Sequence, residues 1–119
     1  VSFKAILTDL VQSVPGAAGA IIADWEGETV DHVALMDDYE LKITAAHLAI
    51  ILTRLKELQG RLSADPVREA IITLADQRVI VGPVGDDYSL VLTLDRDALA
   101  GWAIVRFRQV RDILMKEIY

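Results

Sequence analysis

The 119-residue chain contains no cysteine, which excludes disulfides, thiolate nucleophiles and zinc–thiolate clusters. That lack is compatible with a reducing compartment, and we read the chain as a cytoplasmic protein. Basic charge is also scarce: twelve Lys and Arg stand against eighteen Asp and Glu, a net charge of −6. Repulsion from phosphate argues against nucleic acid as the main partner. No apolar run approaches the ~20 residues of a membrane-spanning helix. Lys4, Thr8 and Asp9 interrupt the N-terminal segment, which therefore does not read as a secretory signal. A start at Val1 rather than methionine reads as a processed or trimmed chain.

Catalytic patterns are missing too. The only histidines are His32 and His47, and a general base needs an orienting partner and a nearby nucleophile. Asp31 precedes His32 within a strand pattern, where adjacent side chains point to opposite faces. Asp37-Asp38, Asp86-Asp87 and Asp95-x-Asp97 lack the twelve-residue calcium-loop pattern and stand at turns or helix starts. Gly16-Ala17-Ala18-Gly19 is followed by a strand pattern instead of Gly-Lys-Ser/Thr and a helix, so it is no phosphate loop. We assign no catalytic residue, no metal site and no cofactor, and the enzyme class has no positive support.

What is abundant is apolar surface. Hydrophobic residues make up 53% of the chain before its seven glycines are counted, against roughly 45–50%, glycine included, in soluble domains. A domain this small has little interior, so the surplus implies contact with another chain, a sheet covered on both faces, or both.

The pattern along the chain runs helix, two strands, helix, three strands, helix. Phe3, Ile6, Leu7, Leu10, Val11 and Val14 recur at helical spacing until Pro15-Gly16 stops them. Strands are expected at about 18–24 and 28–35, joined by a turn at Asp24–Gly27. Gly19 and Ala20 allow a neighbouring element to come close. Asp37–Glu40 suits the start of a long helix ending near Leu58, with Gly60 as its stop. Strands follow at 67–75, 78–84 and 88–94, the short turns between them favouring an antiparallel meander. Continuous apolar stretches such as Ala70-Ile71-Ile72 predict strands covered on both faces. Asp95 or Asp97 is expected to cap a last helix with a stripe of Leu99, Ala103, Phe107, Val110, Leu114 and Ile118. Its Arg106, Arg108, Arg111 and Lys116 read as a solvated face, and Trp102 as a core residue beside the stripe.

The central helix is apolar on two sides. At about 100° per residue, Leu41, Ala45, Leu48, Ile51, Leu52, Leu55, Leu58 and Leu62 form a main arc wide enough to cover a sheet. Ile43 and Ile50 stack roughly opposite with Ala46 beside them, and Lys42, Thr53, Arg54, Glu57 and Arg61 frame this second patch. Two stray isoleucines would be unremarked on any surface. Their stacking, the small alanine and the charged rim instead match a helix held between its own sheet and a second chain.

Val14-Pro15-Gly16-Ala17, Gly19-Ala20, Asp24-x-Glu26-Gly27 and Val30, with this element order, resemble the Roadblock/dynein light chain family, nearest its bacterial and archaeal MglB-like branch. In element order the resemblance spans the chain, 1–119, as one domain, with Pro15, Gly16, Gly19 and Gly27 as structural motif positions. It implies an α+β, profilin-like fold: a five-stranded antiparallel sheet with the long helix on one face and the terminal helices on the other. It also implies a homodimer paired through the long helix and the third strand, and a small Ras-like GTPase docked on the paired-helix side. The dimer residues expected here are Ile43, Ala46, His47 and Ile50, with Arg54, Glu57 and Arg61 as a rim. Val67, Glu69 and Ile71 are expected to pair the strand edge. The resulting function is a non-enzymatic regulator or scaffold that modulates the GTPase nucleotide cycle by ordering the GTPase's own catalytic groups. A structural adaptor that tethers larger assemblies is the alternative. A small-molecule sensor, resting on Gly19, Gly82, Trp25 and Tyr88, ranks third.

Overall fold

The computed structural model describes residues 2–62 and 65–119, apart from the side chain of Leu62, which leaves that member of the expected main arc outside the described residues. Its elements are α1 (Phe3–Ser13), β1 (Ala17–Asp24), β2 (Thr29–Ala34), α2 (Asp38–Leu62), β3 (Ala70–Thr73), β4 (Gln77–Val84), β5 (Tyr88–Asp95) and α3 (Ala100–Ile118). The strands form one antiparallel sheet in the order β2-β1-β5-β4-β3. The element order is the expected one.

Period-2 alternation divides the core into two layers. Ala20, Ile22, Ile80, Leu90, Leu92 and Leu94 face α1 and α3, meeting Leu7, Leu10, Phe107, Val110 and Leu114. Ile21, Val79, Val81 and Val91 face the other way, against Leu41, Ala45, Leu48 and Leu52 of α2. The three inner strands are therefore covered on both sides, and their apolar runs are continuous for that reason. The edge strand β3 departs from this reading: Ile71 is exposed, while Ala70 and Ile72 are half-buried towards α2.

Local chemistry sets the boundaries. The Ser2 hydroxyl accepts the Ala5 amide at 3.1 Å and caps α1. Gly16 has φ +86°, and a Cβ there would meet the Ala98 Cβ at 2.7 Å, so conformation and space both require glycine. In the β1–β2 turn, Asp24 Oδ1 accepts the amides of Glu26 and Glu28 at 3.0 and 2.9 Å, ahead of Gly27 at φ +85°. A Cβ on Gly19 would lie 3.1 Å from a Leu41 methyl, the close approach its sequence context implies. Asp37 Oδ2 accepts the Glu40 amide at 3.0 Å at the head of α2.

Several boundaries differ from the sequence reading. The long helix continues through Gly60 to Leu62, because a single glycine costs a helix only about 1 kcal/mol. The third strand covers four residues where nine were expected. The last helix is not capped by Asp95 or Asp97. It begins after Leu99, which is exposed and provides no side-chain cap. Asp95 instead ends β5, its amide donating to the Gly16 carbonyl at 2.8 Å.

The arginines of α3 are not merely a solvated face. Arg106 bonds the Asp9 carboxylate at 2.8 Å and the Ser13 hydroxyl at 2.9 Å, joining α3 to α1. Arg108 and Arg111 both reach Glu69, at 3.0 and 3.2 Å, and Arg111 also donates to the Arg68 carbonyl. Trp102 is half-exposed, its indole N–H donating to the Ser13 carbonyl at 2.9 Å.

Candidate partner-binding surface

Helix α2 lies on the sheet through one face and leaves the rest uncovered. Ile43 and Ile50 are 38% and 59% exposed on the outer side, with exposed His47 nearby and half-buried Ala46 between them and the β1–β2 turn. Arg54 and Glu57 pair at 3.2 Å on the surface, a contact worth less than about 1 kcal/mol. Six of the seven α2 residues singled out by sequence thus share one region that the sheet leaves uncovered, and the seventh, Arg61, is exposed near the end of the same helix.

That region is larger than the sequence pattern indicates. Ile51 and Leu58, placed on the main arc by the helical wheel, are 42% and 50% exposed. The sheet contacts a narrower stripe centred on Leu41, Ala45, Leu48 and Leu52, so both fall beyond it. The width of the covered stripe is set by where the sheet lies, which the wheel does not contain. Ile51 and Leu58 lie on the flank away from the β1–β2 turn. On the near flank, Trp25, Glu26 and Gly27 face Ala46, Ile50 and Thr53 across a groove of about 380 Å³. Trp25 is 71% exposed.

The sheet has an open border at β3. Of the three residues expected there, Ile71 lies in β3, whereas Val67 and Glu69 precede it. The Val67 amide donates to Gln59 Oε1 at 2.6 Å, and the Glu69 carboxylate is taken up by Arg108 and Arg111. Hydrogen bonding from Arg108 outweighs desolvation and, with the charges of both arginines, holds the Glu69 carboxyl below the usual glutamate range.

At the opposite border, Asp31 accepts the His32 amide at 2.8 Å and the Lys4 ammonium at 3.1 Å. Burial pushes its carboxyl up, but these two partners prevail and hold it low. The His32 ring meets Asp38 at 3.2 Å instead of its neighbour Asp31, as strand alternation requires. Among the described residues no group of three or more His, Asp or Glu could hold a metal ion, and no helix is long and apolar enough to cross a membrane.

A search of curated protein sequences returns no match. The family model described as Roadblock/LC7 domain matches residues 4–94. Among solved structures, a Roadblock/LC7 domain from Streptomyces avermitilis is similar with a TM-score of 0.88 at 17% identity, covering 99% of this chain and 98% of that one. MglB of Myxococcus xanthus has a TM-score of 0.86 at 16% identity, covering 97% and 86%. Profilin II of Acanthamoeba castellanii has a TM-score of 0.67 at 14% identity, covering 99% and 100%. The profilin-like α+β arrangement, with α2 on one sheet face and α1 and α3 on the other, is therefore shared by both kinds of protein. With three quarters of its length matched by the family model and its fold repeated in these domains, the chain belongs to the Roadblock/LC7 domain family.

Proposed function

We propose that this chain is a non-enzymatic cytoplasmic homodimer that binds a small Ras-like GTPase and modulates its nucleotide cycle. The observation that carries the proposal is the outer surface of α2, where Ile43, Ile50, Ile51 and Leu58 are exposed on one 25-residue helix. Apolar side chains at this density are the composition of an interface centre, and Arg54, Glu57 and Arg61 supply a polar rim. A twofold contact uses the same patch on both copies. Pairing of the open β3 edge at Ile71 would extend the sheet across the dimer and protect an otherwise free border. Family membership and the MglB-like fold support the GTPase as partner. The role assigned to the dimer is to order the switch segments and catalytic groups of the GTPase; Arg54, already paired with Glu57, is given no catalytic part.

Sedimentation of Ile50→Glu tests the dimer: a charge in a desolvated contact drives the protein to monomer, and an unchanged dimer refutes the assignment. Binding of immobilised protein to Ras-like GTPases loaded with GDP or a GTP analogue tests the partner. Nucleotide-dependent capture supports regulation. Capture of other assemblies with no GTPase present supports the adaptor reading instead.

A further inference from the structure

The sheet ends in two borders, β2 and β3, and the two are finished differently. On β2 the Leu35 amide donates to the Ala18 carbonyl at 2.8 Å, in register with the pairs Ala20–Val33 and Ile22–Asp31. Bonded and non-bonded pairs alternate in an antiparallel ladder, so Asp31 and Val33 turn their N–H and C=O groups towards β1. His32 and Ala34 turn theirs outward. On β3 the Leu74 amide donates to the Gln77 carbonyl at 2.8 Å, and by the same alternation Ile71 and Thr73 face outward.

Among the described residues nothing bonds the outward groups of Ile71 or Thr73. At β2, by contrast, both outward groups of His32 are taken. Its amide donates to Asp31 Oδ1 at 2.8 Å, and its carbonyl accepts from Lys4 Nζ of α1. Lys4 and Asp31 also bond each other at 3.1 Å, which closes a ring of three contacts over the middle of the strand. An incoming strand must reach the unpaired main-chain groups of a border. Here a carboxylate and an ammonium already hold them.

We infer that Lys4 and Asp31 form a guard that keeps the β2 border from pairing with β2 of a second copy of this chain. Without the guard β2 suits that pairing. A twofold centred on His32 lets this residue and its copy exchange both main-chain bonds. It also sets Asp31 opposite Val33, so that no like charges meet across the strands. The consequence for assembly rests on the β3 pairing proposed above: a dimer joined at β3 carries a β2 border at each end of its sheet. The guard at both ends stops growth at two chains, where two open borders per chain would allow an unending row.

The test removes the guard with Lys4→Met and Asp31→Ala together. The net charge stays at −6, and the ion pair given up is a surface one. Sedimentation over a range of protein concentrations compares this double variant with the unaltered chain, and the same pair of changes within Ile50→Glu with Ile50→Glu alone. The guard is read as growth over each parent, and the α2–β3 dimer from the parents alone, so the two fail separately. Each unguarded protein is expected to form species larger than its parent, in a share that rises with concentration. Adding Ala34→Pro, which deletes an outward N–H, should abolish that growth. Amide exchange followed by NMR should show the His32 N–H exchanging at least about tenfold faster in dilute unguarded protein than in the unaltered chain, and slowing again on concentration. Unguarded proteins that match their parents in size at every concentration would overturn the guard. So would growth that Ala34→Pro leaves intact, or a His32 amide whose exchange does not change.

Discussion

Replacing Glu69 by alanine separates an internal tie from a strand-edge contact. The carboxylate accepts from Arg108 Nε at 3.0 Å, Arg108 Nη2 at 3.3 Å and Arg111 Nη1 at 3.2 Å. The Glu69 and Arg111 side chains are only 15% and 11% exposed, so solvent screens their contact weakly. Hydrogen bonds to charged groups contribute about 1.5–3 kcal/mol. Arg111 retains the Arg68 carbonyl and the Phe107 ring at 5.8 Å, which places the loss at the lower end, about 2 kcal/mol. A domain of this size loses about 4 °C of Tm per kcal/mol, so the expected drop is about 8 °C. The pH dependence has a definite sign. The folded carboxyl titrates below the usual value of 4.5, so its stabilisation is complete above that value and fades as pH falls through the lowered one. Thermal unfolding of both proteins from pH 7 to pH 3 should therefore show a gap that narrows in acid. Sedimentation should show the same oligomer for both. A variant of unchanged Tm at pH 7, or one altered only in assembly, would refute the tie.

Three other substitutions probe separate features. Leu58→Glu should weaken self-association as Ile50→Glu does, read by sedimentation, while leaving Tm within a few degrees. Gly82→Ala should destabilise by at least about 2 kcal/mol in chemical denaturation, because the added methyl meets the Arg68 carbonyl and the Phe107 ring. Gly60→Ala should instead stabilise by about 0.5–1 kcal/mol in the same assay, since it lies within α2 with nothing within 4 Å of an added Cβ.

Residues 14–30 illustrate what is legible without coordinates. Pro15, Gly16 and Gly27 act through backbone angles, which are local, so their positions announce a helix stop and a turn. The alternation in β1, β4 and β5 divides each strand between two layers in the same local way. The uncovered patch at Ile43 and Ile50 was visible for a similar reason, since helical spacing alone sets them opposite Leu41 and Leu48.

Other features depend on partners distant along the chain. Ile51 and Leu58 fit the apolar arc, yet the sheet does not extend beneath them. Trp25 gives no hint in sequence that its turn closes over α2, and Ser89 looks like any strand serine until its hydroxyl is found enclosed. Glu69 is expected from the sequence to pair the strand edge, whereas two arginines about forty positions away hold it. By itself the sequence determined the order of elements, the two-layered sheet and the greasy outer side of α2, because each is written in nearest-neighbour geometry and periodicity. Only the tertiary structure decided which apolar and charged side chains are covered or paired, because that depends on how separate elements are laid against one another.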